Sequence, residues 1–399
     1  MLRILVLVAL VAVPTMESAG QDDLIPLLIG YQTTIQSQVL GEARDIFVYL
    51  PANYGSRDDA FPVMLLLDAR SSFHHTTAAV DSLSRLRLIP EMIVVGIPNT
   101  DRTRDFSVNQ GERTGRQRRG GADAFLDFIE QEVLVWVDDR FRTVPHRTMV
   151  GHSLGASLAC YTLATRPHLF QSFVLHSPAI SGDERRLADG EVAMTQRVRA
   201  GLGALDDRPR RVFATMSGVE AEEWIQDWKR LRRVFRSRAP DSLELRHEDL
   251  PEESHASIPL VATVPALRWL FEGWDGVEAA QSNDIEVLDA HFAALSQRMG
   301  YPVSPPEELV NVMGYRQLQA GRLDEALAIF RRNVELYPES ANVHDSLGEG
   351  LEAAGDLEAA AESYAAAVER AADGDPRVTA IFEQNLQRVT ERLAEVDGS

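Results

Sequence analysis

The chain has one cysteine, Cys160, and one lysine, Lys229, among its 399 residues. A single thiol closes no intramolecular disulfide and builds no cysteine-rich metal site, so disulfide scaffolds and zinc-ribbon classes are excluded. Positive charge is in deficit: 40 Lys+Arg stand against 60 Asp+Glu, a net charge of −20. Broad electrostatic binding to nucleic acid or to an anionic membrane is therefore not expected. The near-absence of lysine among the basic residues is a compositional bias without functional content. Beyond the first twenty residues no segment approaches the ~18 uncharged apolar residues of a membrane span. What is there, 45% hydrophobic and 25% charged, suits a globular protein with ample material for a core. At about 150 residues per domain, the length predicts two or three domains.

The first twenty residues form a three-part pattern. Met1-Leu2-Arg3 is a positive start, residues 4–13 are uncharged and apolar, and Pro14 with Ser18-Ala19-Gly20 gives a small-residue exit. That is the order of a secretory signal at residues 1–20, cleaved after Gly20, and it predicts an exported protein, periplasmic or secreted. No cysteine follows to carry a lipid anchor.

From Gln21 the chain alternates strand-like and helix-like segments. Strands are expected at 46–50, 63–67, 92–97, 148–150, 172–175, 211–216 and 243–247, and helices at 122–137, 157–164, 220–235 and 258–270. Strands separated by 10–15-residue helices imply crossover units and a mostly parallel sheet covered on both faces, an α/β three-layer sandwich over residues 21–284. The C-terminal quarter has no strand signal and repeats at 34 residues: Gly314 recurs as Gly348, Gly321 as Gly355, Ala326 as Ala360, and Phe330 as Tyr364. Small residues where helices cross, with an aromatic filling the gap, mark a 34-residue helix–turn–helix repeat. Two such repeats and a capping helix are expected over 306–395, joined by a bridging helix and linker at 285–305. From Glu307 onward 19 acidic and 8 basic residues carry −11 of the total charge.

Gly151-His152-Ser153-Leu154-Gly155 is G-x-S-x-G, placed between a strand (148–150) and an apolar helix. That strand–turn–helix context is what a nucleophile elbow requires: a strained turn exposes the serine hydroxyl, and flanking glycines allow the helix to approach the strand. The hydroxyl of Ser153 and the N–H of Leu154 then sit at a helix N-terminus, which favours a developing oxyanion. In this chain order the acid and then the histidine follow the serine. His255, on a polar loop after the last strand, is the expected general base; His247 falls within that strand, and His291 and His344 fall in later helices. The acid is expected after the strand at 211–216, where Glu220 comes first and Glu222, Glu223 and, more distantly, Asp227 are alternatives. The second oxyanion donor is expected from the backbone of Ala69 or Arg70, after the strand at 63–67. The loop Pro98-Asn99-Thr100-Asp101-Arg102-Thr103-Arg104-Asp105 leaves the same sheet edge. Asn99, Arg104 and Asp105, with His152 of the elbow, are candidate substrate-binding residues, although that loop could equally be a self-satisfied structural turn. Asp68 with His74-His75 lacks a third metal ligand at usable spacing, and no metal or cofactor is expected. The basic stretch 113–119 is read as a loop rather than a nucleic-acid site.

Taken together, Val48-Tyr49-Leu50-Pro51 with Tyr54, Leu65-Leu66-Leu67-Asp68, Ile93-Val94-Val95-Gly96-Ile97-Pro98-Asn99, Arg102-Thr103-Arg104-Asp105, the elbow, and Glu253-Ser254-His255-Ala256-Ser257 resemble the esterase family of α/β-hydrolases. That family includes enterochelin-type siderophore esterases, S-formylglutathione hydrolases, feruloyl esterases and mycolyltransferases. The resemblance covers roughly residues 31–275, and a bacterial subgroup joins such a domain to tetratricopeptide repeats. Many relatives have glycine where this chain has Ala69. The resemblance implies an α/β-hydrolase fold and serine ester hydrolysis and names no substrate; a small-molecule ester is expected, and the repeats are expected to offer a face to a protein or peptide partner. Two readings compete with it: acyl transfer to a sugar or amine acceptor by the same groups, and a non-catalytic binding scaffold.

Overall fold

The computed structural model describes residues 28–56, 58–108, 112–113, 116–117, 120–180 and 193–397. The signal read at residues 1–20 lies outside the described residues, as does part of the basic stretch 113–119.

The architecture is a mostly parallel α/β sheet followed by a helical region. In chain order the strands are β1 (Tyr31–Ser37), β2 (Glu42–Tyr49), β3 (Phe61–Leu67), β4 (Ile93–Ile97), the two-residue strands β5 (Glu112–Arg113) and β6 (Arg116–Gln117), β7 (Thr143–His152), β8 (Ser172–His176), β9 (Arg210–Ser217) and β10 (Leu243–Leu250). β5 and β6 pair only with each other, and the other eight form one sheet in the order β1-β2-β4-β3-β7-β8-β9-β10. Within the eight-stranded sheet the antiparallel pairs are those of β2, with β1 on one side and β4 on the other. The run from β4 to β10 is parallel throughout.

Both faces are covered, as a parallel sheet requires. Every residue of β3, Phe-Pro-Val-Met-Leu-Leu-Leu, is buried. Alternation sends Val63, Leu65 and Leu67 into one core with Phe125, Phe128, Leu158 and Phe235. Met64 and Leu66 enter the other, with Val80, Leu267, Leu270 and Phe271. The first core is roofed by α3 (Ala122–Phe128), a π-helical turn (Ile129–Val133), α4 (Leu134–Arg140), α5 (Leu154–Thr165), α6 (Met194–Leu202) and α7 (Glu222–Arg238). The second is roofed by α1 (Ala69–Arg85) and α8 (Ile258–Leu270); a short α2 (Arg102–Phe106) follows β4.

β1, α1 and α6 are among the elements absent from the sequence reading. β1 (Tyr-Gln-Thr-Thr-Ile-Gln-Ser) is an edge strand with five of seven residues exposed, and it lacks an apolar run. α1 is rich in Ser, Thr and His, so its first residues read as a turn. It is helical because Ser72, Thr76 and Thr77 are buried beside Val80 and Leu83, an instance of packing overriding propensity.

After a short α9 (Val277–Ala280), the segment read as a bridge contains α10 (Ile285–Met299). Leu288, Phe292, Leu295 and Met299 of α10 belong to the second core of the sheet, together with Val310 and Met313 of α11 (Glu307–Gln319) and Ile329 of α12 (Leu323–Leu336). α10 is therefore an outer layer of the α/β unit, with α11 and part of α12 packed onto it. His146 of β7 donates from Nδ1 to the Met299 carbonyl at 3.1 Å, and Arg87 grips Glu308 with two bonds of 2.8 and 3.0 Å.

α13 (Ala341–Ala354) and α14 (Leu357–Arg370) start 34 residues after α11 and α12, and α15 (Pro376–Asp397) packs on α14. The 34-residue spacing thus corresponds to two helical hairpins. A Cβ on Gly314 would lie 2.4 Å from the Phe330 ring, and one on Gly348 would lie 2.7 Å from the Tyr364 ring. The aromatic fills the space that glycine vacates, so the two positions are coupled. No helix among the described residues is long and apolar enough to cross a membrane.

Candidate active site

The C-terminal ends of four adjacent parallel strands build the site. β7 runs into Ser153, β8 into Ser177, β9 into the loop that carries Glu220, and β10 into the loop that carries His255. Because β7, β8, β9 and β10 are hydrogen-bonded neighbours in parallel register, these loops emerge side by side at one edge.

Ser153 sits between β7 and α5 at φ 57°, ψ −120°, a strained conformation for a residue with a side chain. Its backbone is held on both sides: its N–H donates to His176 O at 2.9 Å, and its carbonyl accepts from Ala179 at 3.1 Å. Gly151 is required by the closeness of the turn, since a Cβ there would lie 2.4 Å from the Gly155 carbonyl oxygen. Leu154 opens α5, so its N–H is one of the helix-terminal donors without an intrahelical partner.

The His255 ring lies against that of His152, with centroids 4.5 Å apart, and edge-on to Trp224 at 5.5 Å. His152 Nε2 donates to the His255 carbonyl at 2.8 Å. The Nδ1 of His255 makes a short hydrogen bond with Glu220 Oε1. Of the three glutamates left open by the sequence, Glu220 is thus the one that reaches the imidazole. Glu222 accepts from Gln226 instead, at 2.6 Å, and Glu223 is exposed in the first turn of α7. Asp227 is paired with Arg230. With Nδ1 engaged, Nε2 of His255 is the nitrogen left for proton transfer. Burial, and then the neighbouring His255, pull the pKa of His152 down, so near neutral pH His152 is an uncharged donor beside His255.

Asp68, which precedes α1, is left-handed at φ 55° and 6% exposed. It binds Arg102 through two bonds, Nε–Oδ1 2.6 Å and Nη2–Oδ2 2.9 Å, and accepts a further bond from the Asn99 amide. Arg102 also donates to the His152 carbonyl at 3.0 Å. This network fastens the start of α1, and with it the N–H groups of Ala69 and Arg70, to the elbow. Arg70 itself projects outward, its nearest ionic contact being Asp45 at 3.8 Å.

The candidate substrate-binding residues fare differently. Asp105 is 1% exposed and closed off by Arg44 at 2.7 Å and Arg104 at 2.7 Å. Arg104 is further committed to Glu42 at 2.6 and 3.1 Å. Arg104 and Asp105 thus stand in an ion-pair network within the fold, which favours the self-satisfied structural turn, the alternative that the sequence left open for this loop. That pairing holds the Glu42 carboxyl down at about 2. Asn99 and His152 are likewise turned to partners in the site itself, Asp68 and the His255 carbonyl.

Behind His152 a small cavity is lined by Ser72, His75, Thr76, His176 and Thr263, among others. Burial drives the His176 pKa down to about 3 and lowers that of His75, so both are neutral at pH 7. Among the described residues no group of three or more His, Cys, Asp or Glu side chains could hold a metal ion.

Sequence reasoning missed Asp68 as an anchor, Arg102 as its partner, and Ser177, whose hydroxyl reaches Glu220 at 2.9 Å. Asp68 and Arg102 carried a signal, since both stand in segments that follow strands ending at the elbow's edge. Ser177 carried the same positional signal, following the strand read at 172–175.

Among proteins of similar sequence, the chain is 32% identical to ferri-bacillibactin esterase BesA of Bacillus subtilis over 139 residues, 30% of this chain and 48% of that one. The chain spans about half the length of the curated relatives it matches. Among the solved structures that share its fold are two bacterial proteins. An IroE-like serine hydrolase from Shewanella oneidensis matches with a TM-score of 0.65 at 23% identity, covering 77% of this chain and 99% of that one. A protein from Capnocytophaga ochracea matches with a TM-score of 0.69 at 17% identity, covering 91% and 99%. The sequence profile described as "Putative esterase" matches residues 37–248, more than half of the chain, and the chain therefore belongs to that esterase family.

Proposed function

We propose that the protein is a serine hydrolase of carboxylic esters, with Ser153 as nucleophile, His255 as general base and Glu220 as the acid that orients it. The observation that carries this reading is the Glu220–His255 Nδ1 bond beside an elbow serine at φ 57°. Glu220 fixes the tautomer in which Nε2 of His255 takes the Ser153 proton. Ser153 Oγ adds to the ester carbonyl, and the resulting oxyanion is held by the N–H of Leu154 and one from Ala69 or Arg70. His255 then protonates the departing alkoxide, leaving an acyl-enzyme. Water, deprotonated by His255, releases the acid and restores Ser153.

The name of the BesA relative supports testing siderophore esters first, alongside simple acyl esters. The paired helices α11–α12 and α13–α14 are read as tetratricopeptide-like repeats that offer a surface to a protein or peptide. Residues 1–20 are read as a signal that places the mature enzyme in the periplasm or outside the cell.

The test uses the full chain with p-nitrophenyl acetate and a fluorophosphonate probe. Ser153→Ala is expected to lower turnover on the order of 10³-fold or more and to abolish labelling. Labelling that persists in Ser153→Ala would overturn the nucleophile assignment. Wild-type protein that neither labels nor turns over esters would point to a binding scaffold.

A further inference from the structure

Ser177 follows β8 and is completely buried, yet its φ is 45°, a left-handed value that a serine adopts only at a cost. The strained backbone has a consequence for the hydroxyl. Ser177 Oγ donates to Glu220 Oε1 at 2.9 Å, the same oxygen that His255 Nδ1 engages. It accepts from the Ser217 N–H at 3.2 Å, and the Met216 sulfur lies 3.6 Å away as a weaker neighbour. Its own N–H is bound to Thr215 O at 3.0 Å.

Ser217 continues the chain of contacts. Its Oγ donates to the Glu253 carbonyl at 2.6 Å, two residues before His255, and accepts from the Val219 N–H at 3.2 Å. The next residue, Gly218, donates to Leu250 O at 3.0 Å, and a Cβ there would fall 2.3 Å from Pro251. The acid loop and the histidine loop are thus pressed together and pinned, and Ser177 holds the carboxylate from the side of β8.

We infer that Ser177 is a positioning residue of the reaction proposed above: it clamps the Glu220 carboxylate in the rotamer that meets His255 Nδ1. The inference rests on that reading of Glu220 and His255. A glutamate side chain is long and flexible, and orienting it costs rotamer freedom that a second, buried donor offsets. A hydrogen bond to a charged group in a buried setting is stronger than one between neutral partners, so its removal is felt. Ser177 touches no reacting atom, and its effect passes through Glu220. The other groups facing the His255 ring, His152 and Trp224, lie on separate elements, and their ring contacts run to His255 rather than to Ser177.

The test compares wild type, Ser177→Ala, Glu220→Gln and the double variant of the full chain, with kcat, KM and the pH profile of kcat/KM measured on p-nitrophenyl acetate. Ser177→Ala is expected to lower kcat/KM on the order of 10-fold or more through kcat, with KM little changed. The acidic limb of the profile is expected to move to lower pH, because a Glu220 carboxylate released from its clamp stabilises the imidazolium less. In the Glu220→Gln background the same change should alter the rate less than about 2-fold, since the group it positions is gone. Ser177→Gly, which adopts φ 45° freely, repeats the measurement if the alanine variant fails to fold. Wild-type rate and limb in a folded Ser177 variant, with Glu220→Gln crippled, would refute the clamp and leave the triad standing. An equal loss in both backgrounds would also refute it, by making Ser177 a packing residue. A wild-type rate in Glu220→Gln would instead overturn the triad reading, and the clamp with it.

Discussion

His146 makes the stability of this protein depend on pH in a calculable way. It is 2% exposed on β7, with its Nδ1–H on the Met299 carbonyl, its Nε2 3.2 Å from Ser172 Oγ, and its ring against Phe271 at 5.7 Å. Burial pushes its pKa from 6.5 down to about 4; nearby Arg298 adds to the shift, and the Met299 carbonyl opposes it. In the unfolded chain the imidazole titrates near 6.5, so below that pH the unfolded state binds the extra proton. The contribution of His146 is therefore fully present above about pH 6.5 and is lost as pH falls through about 4. A shift of roughly 2.5 units at 1.36 kcal/mol each gives about 3 kcal/mol over the whole window, of which about 2 kcal/mol is lost by pH 5. The assay is urea denaturation at pH 7.0 and 5.0 of wild type and His146→Asn, which keeps a donor near the Met299 carbonyl and cannot titrate. His146→Asn is expected to be less stable at pH 7.0, because the missing ring atoms leave a void. Its loss between pH 7.0 and 5.0 should be smaller than that of wild type by about 2 kcal/mol. His176, similarly buried, is unchanged in both proteins and cancels. Equal pH losses in the two proteins would refute the reasoning.

Two further outcomes follow from the helical region. Gly314→Ala should lower the melting temperature by several degrees, about 1–3 kcal/mol of overpacking against Phe330, whereas Gly314→Ala combined with Phe330→Leu should recover part of it; an unchanged melting temperature in Gly314→Ala would contradict the contact. A chain ending at Ser304 should retain ester turnover, because the site lies between Asp68 and His255, but it should aggregate or melt earlier, because Val310, Met313 and Ile329 no longer cover α10 and the Arg87–Glu308 pair is lost. Thermal melting and light scattering read that result, and a truncated chain as stable and monodisperse as the full one would show that α11 and α12 are not part of the α/β core.

Local rules make much of this molecule legible in the sequence itself. The elbow is readable because a strand, G-x-S-x-G and an apolar helix are contiguous, and the geometry they impose at Ser153 is a property of one short turn. The parallel sheet follows from alternating strands and helices, and the helical hairpins follow from a 34-residue spacing in which glycine and aromatic recur together. His255 is readable as a loop histidine after the last strand.

Other features depend on which strand lies next to which. Glu220, Glu222 and Glu223 are chemically equivalent in the sequence; β9 and β10 are parallel neighbours with Ser217 beside Leu250, and that pairing delivers Glu220 to His255 across 35 residues of chain. Ser177 joins them only because β8 is paired with β9. Arg104 and Asp105 are candidate substrate-binding residues in the sequence, yet buried Arg44 on β2 claims Asp105, since a buried carboxylate is stable when its charge is paired. The bridge becomes an outer layer of the core because α10 carries an apolar stripe that finds its cover on the α1 and α8 side of the sheet. Patterns confined to one turn or one helix face are set by neighbouring residues, whereas a pairing between distant loops is set by strand order, and strand order is decided when the whole sheet assembles.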